Sequence, residues 1–205
     1  MSDLNVQFGG IDIYLFDQLL RRRITVGMRI LDAGCGFGRN LVYFLREGFE
    51  VFGADSDPRA LKATRDLAAS IAPTLPSDNF RLETVEAMSF PDRFADLVIS
   101  SAVLHFARDD DHFQSMLRGT WTVLKPGGLL FCRLASSIGI ESQIQRIAEG
   151  RFRLPDGSER YLIDEAFLLK LTEQLGGRLD DPLKTTVVQN QRSMTTWIVR
   201  KNQSH

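Results

Sequence analysis

Residues 28–33 read MRILDA, a short apolar run that ends on a carboxylate and does not alternate with polar residues. Comparable runs follow at 50–55 (EVFGAD), 95–102 (ADLVISSA) and 128–134 (GLLFCRL), with an alternating one at 80–85 (FRLETV). Successive side chains of a strand point to opposite faces, so a continuously apolar strand is buried on both sides. Segments with helical character separate these strands at 39–48, 57–72 and 110–125. Asp57 is placed as an N-cap with Pro58 at the first helical position, and Gly48 as a C-cap. Strand–helix alternation of this kind predicts an α/β fold whose mostly parallel sheet is covered by helices on both faces.

The flanks read differently. Residues 11–24 carry Ile11, Tyr14, Leu15, Leu19 and Leu20 at helical spacing, and Gly27 ends that segment. After about 136 the spacing predicts a helix over IESQIQRIAEG (140–150). Two short strands follow around the Pro155-Asp156-Gly157 turn, then a helix over 164–177 capped by Asp164 and stopped by Gly176-Gly177. TTVVQN and TTWIVRK read as a closing antiparallel pair. Within VLKPGG, Lys125 suits a helix C-terminus, Pro126 stops the helix and Gly127-Gly128 turn the chain. One domain is expected over 1–205: an N-terminal helix or lid (1–27), a core (28–135), an insertion (136–165) and a closing helix with strands (166–205).

Composition narrows the function classes. The 205 residues are 43% hydrophobic and 25% charged with a formal net charge of −1, so no global field favours nucleic acid or an anionic membrane. No apolar run approaches ~18 residues, and MSDLNVQFGG does not read as a signal peptide. A cytoplasmic protein without a membrane span is therefore expected. Cys35 and Cys132 lack the spacing of a disulfide framework or a zinc site.

The chemistry concentrates in ILDAGCGFGRN (30–40), where Gly34, Gly36 and Gly38 crowd together after Asp32. A dinucleotide fingerprint needs G-x-G-x-x-G, but Arg39 stands where its third glycine belongs, and the lysine of a P-loop is missing. A carboxylate this close to the loop repels a pyrophosphate and suits an ammonium or sulfonium. Asp55, at the tip of the second strand, is placed to accept hydrogen bonds from ribose hydroxyls. The pair suits a cationic nucleoside without phosphate, which describes S-adenosylmethionine. Asp32 also fits as a cap for the helix at 39, and Asp55 as the start of the helix at 57.

From Ile30 to Leu134 the sequence resembles the class I S-adenosylmethionine-dependent methyltransferases. LDAGCGFGRN is similar to their first cofactor motif and VFGADSD to their ribose-binding strand end. FADLVISSAVLHF resembles their fourth strand, and VLKPGG the turn before the fifth. The loop is most like those of small-molecule members of the tellurite-resistance and ubiquinone-biosynthesis types. The resemblance implies a Rossmann-like, mostly parallel seven-stranded sheet with an antiparallel last strand. It implies methyl transfer to O, N or S of a small acceptor by in-line displacement, with S-adenosylhomocysteine as product. It places Asp32, Ala33, Gly34, Cys35 and Gly36 near the methionine portion, Asp55 and Ser56 near the ribose, and Ser100 at the end of the fourth strand. The family's acidic residue beside adenine falls at Thr84, which is not acidic, so Thr84 with Val85, or Glu86, takes that place.

Other candidates have two readings each. His105, just after the fourth strand, is either a general base for the acceptor or a structural histidine bonded to a loop carbonyl. Asp109, Asp110, Asp111 and His112 are read as a helix N-terminus rather than a metal site, and no metal is expected. Arg21-Arg22-Arg23 end a helix in solvent or form an anionic-substrate patch. Phe8, Tyr14 and Phe16 precede the core, and the resemblance suggests that such a segment folds over the cofactor, with Tyr14 the candidate contact. Arg151, Phe152, Arg153 and Tyr161 lie where small-molecule members shape the acceptor pocket. A nicotinamide oxidoreductase and a non-catalytic cofactor-binding subunit are the competing functions. Nucleic acid is not expected as a partner, and the oligomeric expectation is a monomer or homodimer.

Overall fold

The computed structural model describes residues 3–203. The chain begins with α1 (Leu4–Phe8) and α2 (Ile13–Leu20), then β1 (Arg29–Ala33), α3 (Val42–Arg46), β2 (Glu50–Asp55) and α4 (Pro58–Ile71). Next come β3 (Phe80–Leu82), β4 (Ala95–Ser101), α5 (Asp110–Thr122) and β5 (Leu124–Ala135). The last part holds β6 (Gln145–Ala148), β7 (Arg151–Arg153), β8 (Glu159–Tyr161), α6 (Glu165–Gln174), β9 (Gly177–Leu179), β10 (Lys184–Val188) and β11 (Arg192–Lys201).

The main sheet has eight strands in the order β10-β11-β5-β4-β1-β2-β3, with β9 also paired to β11. The pairs β3–β2, β2–β1, β1–β4 and β4–β5 are parallel, whereas β11 runs antiparallel to β5. The strand order therefore turns back on itself beside β1, where β2 lies on one side and β4 on the other. In open α/β sheets the crevice at such a switch point is where ligands bind.

The apolar runs divide between two cores, one on each face. Leu31, Val98, Leu130, Cys132, Trp197 and Val199 pack with Phe113, Leu117 and Leu168 from α5 and α6. Their strand neighbours Ile30, Leu97, Ile99, Leu129, Phe131 and Ile198 pack with Leu15, Phe44 and Leu61 from α2, α3 and α4. This is the two-sided burial that continuous apolar strands require. Trp197 is fully buried, and its indole N–H donates to Thr172 Oγ1 at 2.9 Å.

Several boundaries differ from the sequence expectation. The helix expected over 11–24 is Ile13–Leu20, and a separate short helix, Leu4–Phe8, precedes it and ends at Gly9, which takes φ +59. The helix expected over 39–48 is only Val42–Arg46, since the glycine turn runs on through Leu41, whose N–H donates to the Gly38 carbonyl. The expected strand over 80–85 shortens to Phe80–Leu82, and Val85–Ala87 forms a 3-10 turn. Within VLKPGG, α5 ends at Thr122 and Leu124 already pairs with Ala95. Lys125 is thus not a helix terminus but sits in a bulge, and its Nζ donates to both Asp96 oxygens at 2.8 Å.

The helix expected over 140–150 is absent. Gln145–Ala148 is a strand of a separate antiparallel sheet, β6-β7-β8. The apolar residues of that segment find no helical face to bury against, and pairing with β7 satisfies the backbone instead. This small sheet hangs beyond the carboxyl end of β5. The Tyr161 ring stacks on Phe113 at 4.7 Å, and its hydroxyl donates to Asp110 Oδ1 at 2.8 Å. Arg21 and Arg23 are not a free patch. They pair with Asp17, Asp180 and the buried Asp181, joining α2 to the loop between β9 and β10.

One glycine holds the wall of the switch-point crevice in place. A Cβ on Gly119 of α5 would fall 2.1 Å from the Val85 carbonyl oxygen. Helix propensity alone favours alanine there by ~1 kcal/mol. Gly119→Ala is expected to destabilise the protein instead, by ~1–3 kcal/mol from overpacking, read as a lower midpoint in urea unfolding.

Candidate cofactor cleft

A cleft of about 630 Å³ opens at the switch point. Its floor is the turn after β1, its walls are the tips of β2 and β4 and the Thr84–Glu86 segment, and α5 closes one side. The glycine turn is built for close approach. Gly34 has φ +86, and a Cβ there would lie 2.4 Å from Val103 Cγ2. Gly36 has φ +53, yet no protein atom lies within 4 Å of where its Cβ would point. The turn is tied to β2, with Gly34 N–H and Cys35 N–H both donating to the Ala54 carbonyl. Gly36 N–H donates to Asp55 Oδ2 at 2.7 Å, and Asp57 N–H to Asp55 Oδ1 at 2.8 Å. Asp55 therefore organises the turn, and each of its oxygens keeps a free lone-pair direction.

Asp32 lies one layer below. It is 1% exposed, and neither carboxylate oxygen has a hydrogen-bond partner. Burial pushes its pKa up to about 8; the Asp55 charge adds to the rise and Arg39 opposes it. It does not cap the helix after the loop: α3 has no side-chain cap. A carboxylate kept in this state without a partner is a standing cost to the fold. A ligand ammonium above the turn would supply the missing counter-charge.

Of the residues expected at the site, Gly34, Cys35, Gly36, Asp55, Ser56, Thr84, Val85 and Glu86 line this one cleft. Asp32 and Ala33 are buried beneath it. Ser100 is a correction: it is fully buried in β4, and the next residue, Ser101, lines the cleft. Strand alternation allows only one of two consecutive serines to face the same side. Tyr14 is another: its hydroxyl shares a 3.0 Å hydrogen bond with Thr186 on β10, away from the cleft. The segment just before it does reach the glycine turn. Arg39 Nη1 donates to the Gly10 carbonyl, and Asp12 N–H donates to Asn40 Oδ1.

His105 does not line this cleft but borders the cavity beside it. It lies in a 3-10 turn, Leu104–Phe106, outside the cleft, with Nδ1 accepting from Ala135 N–H at 3.1 Å. Burial, joined by the charges of Arg160 and Arg133, lowers its pKa to about 4. The lowered pKa makes this imidazole a weaker general base than a free histidine. Asp109 caps α5 through His112 N–H at 2.7 Å. His112 Nδ1 accepts from Arg108 N–H, and Nε2 faces Glu86 at 3.2 Å. Among the described residues no group of three or more His, Cys, Asp or Glu is placed to hold a metal ion.

Phe37, Arg39, Asn40, Ala102, Val103, Phe106, Arg108, His112 and Met116 also line the cleft without having been singled out for it. Phe37 and Arg39 had a signal: a large apolar and a charged side chain inside a glycine turn. Phe37 is 68% exposed at the mouth. Asn40 ends the same stretch; the rest come from distant segments, and Ala102 takes φ +64, which nothing local announces.

This sheet order, with the glycine turn and two strand-tip carboxylates at its switch point, defines a class I S-adenosylmethionine-dependent methyltransferase fold. Residues 31–132 match the family model described as a methyltransferase domain, and the chain belongs to the class I S-adenosylmethionine-dependent methyltransferases. A ubiquinone biosynthesis O-methyltransferase from Bradyrhizobium sp. is 30% identical over 164 residues, covering 73% of this chain and 61% of that protein. The chain spans about half the length of the curated relatives it matches, 56% and 40% of two of them. A solved S-adenosylmethionine-dependent methyltransferase from Methanosarcina mazei superposes with TM-score 0.73 at 20% identity, covering 91% of this chain and 98% of that one. The 1,6-didemethyltoxoflavin-N1-methyltransferase of Burkholderia thailandensis, solved with bound 1,6-didemethyltoxoflavin and S-adenosylhomocysteine, gives TM-score 0.71 at 17% identity, covering 98% of this chain and 81% of that one. At these identities the two structures establish the fold alone. No helix among the described residues is long and apolar enough to cross a membrane.

The raised pKa of Asp32 fixes the sign of a pH effect. The folded state binds this proton more tightly than the unfolded chain, so ionisation destabilises the fold as pH rises from the unfolded value of ~4 to the folded value of about 8. Asp32→Asn cannot ionise. Its stability relative to the parent should rise across that window by at most ~1.4 kcal/mol per pH unit and level off above it, as urea unfolding of the ligand-free proteins at several pH values would show.

Proposed function

We propose that this protein transfers the methyl group of S-adenosylmethionine to O, N or S of a small-molecule acceptor. The observation that carries the reading is Asp32: a buried carboxylate with no partner, directly under a turn whose Gly36 opens onto empty space. A nicotinamide dinucleotide would bring a pyrophosphate to that same place, against the charge.

The residues divide the work. The main chain of Gly34, Cys35 and Gly36 lies against the methionine portion, and Asp32 faces its ammonium through the turn. Asp55 and Ser56 receive the ribose hydroxyls. Thr84, the Val85 amide and Glu86 border the adenine, with Met116 packing on its side. When bound, the cofactor supplies a methyl group on a positively charged sulfur. The chain then has to hold the acceptor atom in line with the sulfur–methyl bond and keep water out, which accounts for much of the rate in a displacement of this type. Protein bases are not required for an activated methyl donor, consistent with the weak basicity of His105.

Calorimetry with S-adenosylhomocysteine tests the reading, and absence of heat at millimolar ligand would sink it. Asp55→Ala should weaken binding by ~1–3 kcal/mol through loss of hydroxyl hydrogen bonds. At pH 7 Asp32 is mostly protonated in the free protein and must ionise to meet the ammonium. Binding should therefore release up to one proton, seen as heats that vary with the ionisation enthalpy of the buffer. Asp32→Asn should bind weakly and release none. Tight binding with no turnover over a broad acceptor panel would mark a non-catalytic subunit instead.

A further inference from the structure

A second cavity of about 350 Å³ lies on the other side of the Leu104–Phe106 turn, and Ala102 lines both it and the cofactor cleft. Arg133 of β5, Arg160 of β8 and Arg192 of β11 line it, against one carboxylate, Asp156. Arg133 also pairs with buried Asp12 at 3.1 Å, but its Nε is buried without any partner. The Arg160 guanidinium lies 4.9 Å over the ring of Phe106, a residue of the cofactor cleft. Asp156 is partly occupied already, accepting from both the amide and the hydroxyl of Ser158.

We infer that this chamber binds the acceptor and that it selects a small molecule carrying a carboxylate, held by Arg133, Arg160 and Arg192 while its nucleophilic end passes Ala102 towards the cofactor cleft. The inference rests on the methyltransferase reading above for the identity of the bound molecule as an acceptor.

Three guanidinium groups from strands far apart in sequence meet at one small cavity. Asp12 pairs with Arg133 and Asp156 feels the charges of Arg160 and Arg192, so three guanidinium groups meet two carboxylates and one positive charge is left for an anion. The field they create is felt by His105, whose protonated form is further disfavoured by Arg160 and Arg133. With Nδ1 accepting from Ala135, the neutral His105 ring carries its proton on Nε2 and offers the chamber one more donor. Planar guanidinium groups match carboxylates in two-point contact, which favours a carboxylate over a neutral amide of the same shape. Leu154 and Met194 provide an apolar wall for the carbon body. Arg151 and Arg153, from the same small sheet, do not contribute: they are tied to the Ala107 carbonyl and to Glu159.

The test uses the full chain saturated with S-adenosylhomocysteine. Acetate, benzoate and 4-hydroxybenzoate are titrated calorimetrically, each beside its amide, with inorganic phosphate as a separate anion. At least one carboxylate should bind ten-fold or more tightly than its amide. Arg192→Gln and Arg160→Gln should each reduce that affinity by at least ten-fold while leaving S-adenosylhomocysteine affinity unchanged. Melting curves confirm that the variants are folded, and Arg192, being exposed, serves if Arg160→Gln is not. Equal binding of all acids and amides overturns the inference, as does carboxylate affinity insensitive to both substitutions. Phosphate binding more tightly than every carboxylate overturns the carboxylate assignment. Carboxylate binding in a protein that takes no S-adenosylhomocysteine keeps the anion chamber and removes the methyltransferase reading, so the two failures are separable.

Discussion

A buried carboxylate without a partner governs this molecule. Asp32 is held at the tip of the central strand, with β2 on one side and β4 on the other, so the sheet cannot release it to water. An uncompensated buried charge is expensive, and the raised pKa expresses that cost as a retained proton. Under the proposed function a ligand cation would offset that cost. The turn above it follows from the same need: a positive-φ glycine at 34 lets main chain pass Val103, and Asp55 pins Gly36 from the neighbouring strand.

Around that centre the fold makes two compartments that share one wall. The cofactor cleft lies over β1, β2 and β4, and the arginine chamber lies past the Leu104–Phe106 turn under the small β6-β7-β8 sheet. His105 belongs to the wall, bonded to Ala135. Asp12 joins the compartments from outside: its amide donates to Asn40 in the glycine turn, and its carboxylate receives Arg133 from the chamber. The N-terminal segment thus contacts the glycine turn through Gly10 and Asp12, while the Tyr14 hydroxyl bonds to Thr186 of β10. The arginine chamber draws on β8, β11 and the turn before β8 as well as on β5.

Much of the lining of the candidate cleft was legible because its residues are neighbours along the chain. Asp32 to Gly36, Asp55 with Ser56, and Thr84 to Glu86 each form one short piece at a strand tip, and strand tips could be located from apolar runs. The capping of α4 by Asp57 and of α6 by Asp164 was equally local, since a cap is a contact over two or three residues. The failures have a common origin. Residues 140–150 carry helix-like spacing, but Gln145–Ala148 pair with β7, and KPGG bulges within a strand where Lys125 meets Asp96. Ser100 and Ser101 are chemically identical, and only the register of β4 decides which one meets solvent.

Local patterning determined the layered α/β class, the glycine turn and the two acidic strand ends, because burial periodicity, φ preferences and caps act within a few residues. Tertiary structure decided the rest: that Asp32 is left without a partner, that His105 spends its Nδ1 on a main-chain amide, and that Arg133, Arg160 and Arg192 share one cavity. Those properties depend on which distant segments come into contact and how much water they displace, and no short stretch of sequence holds that information.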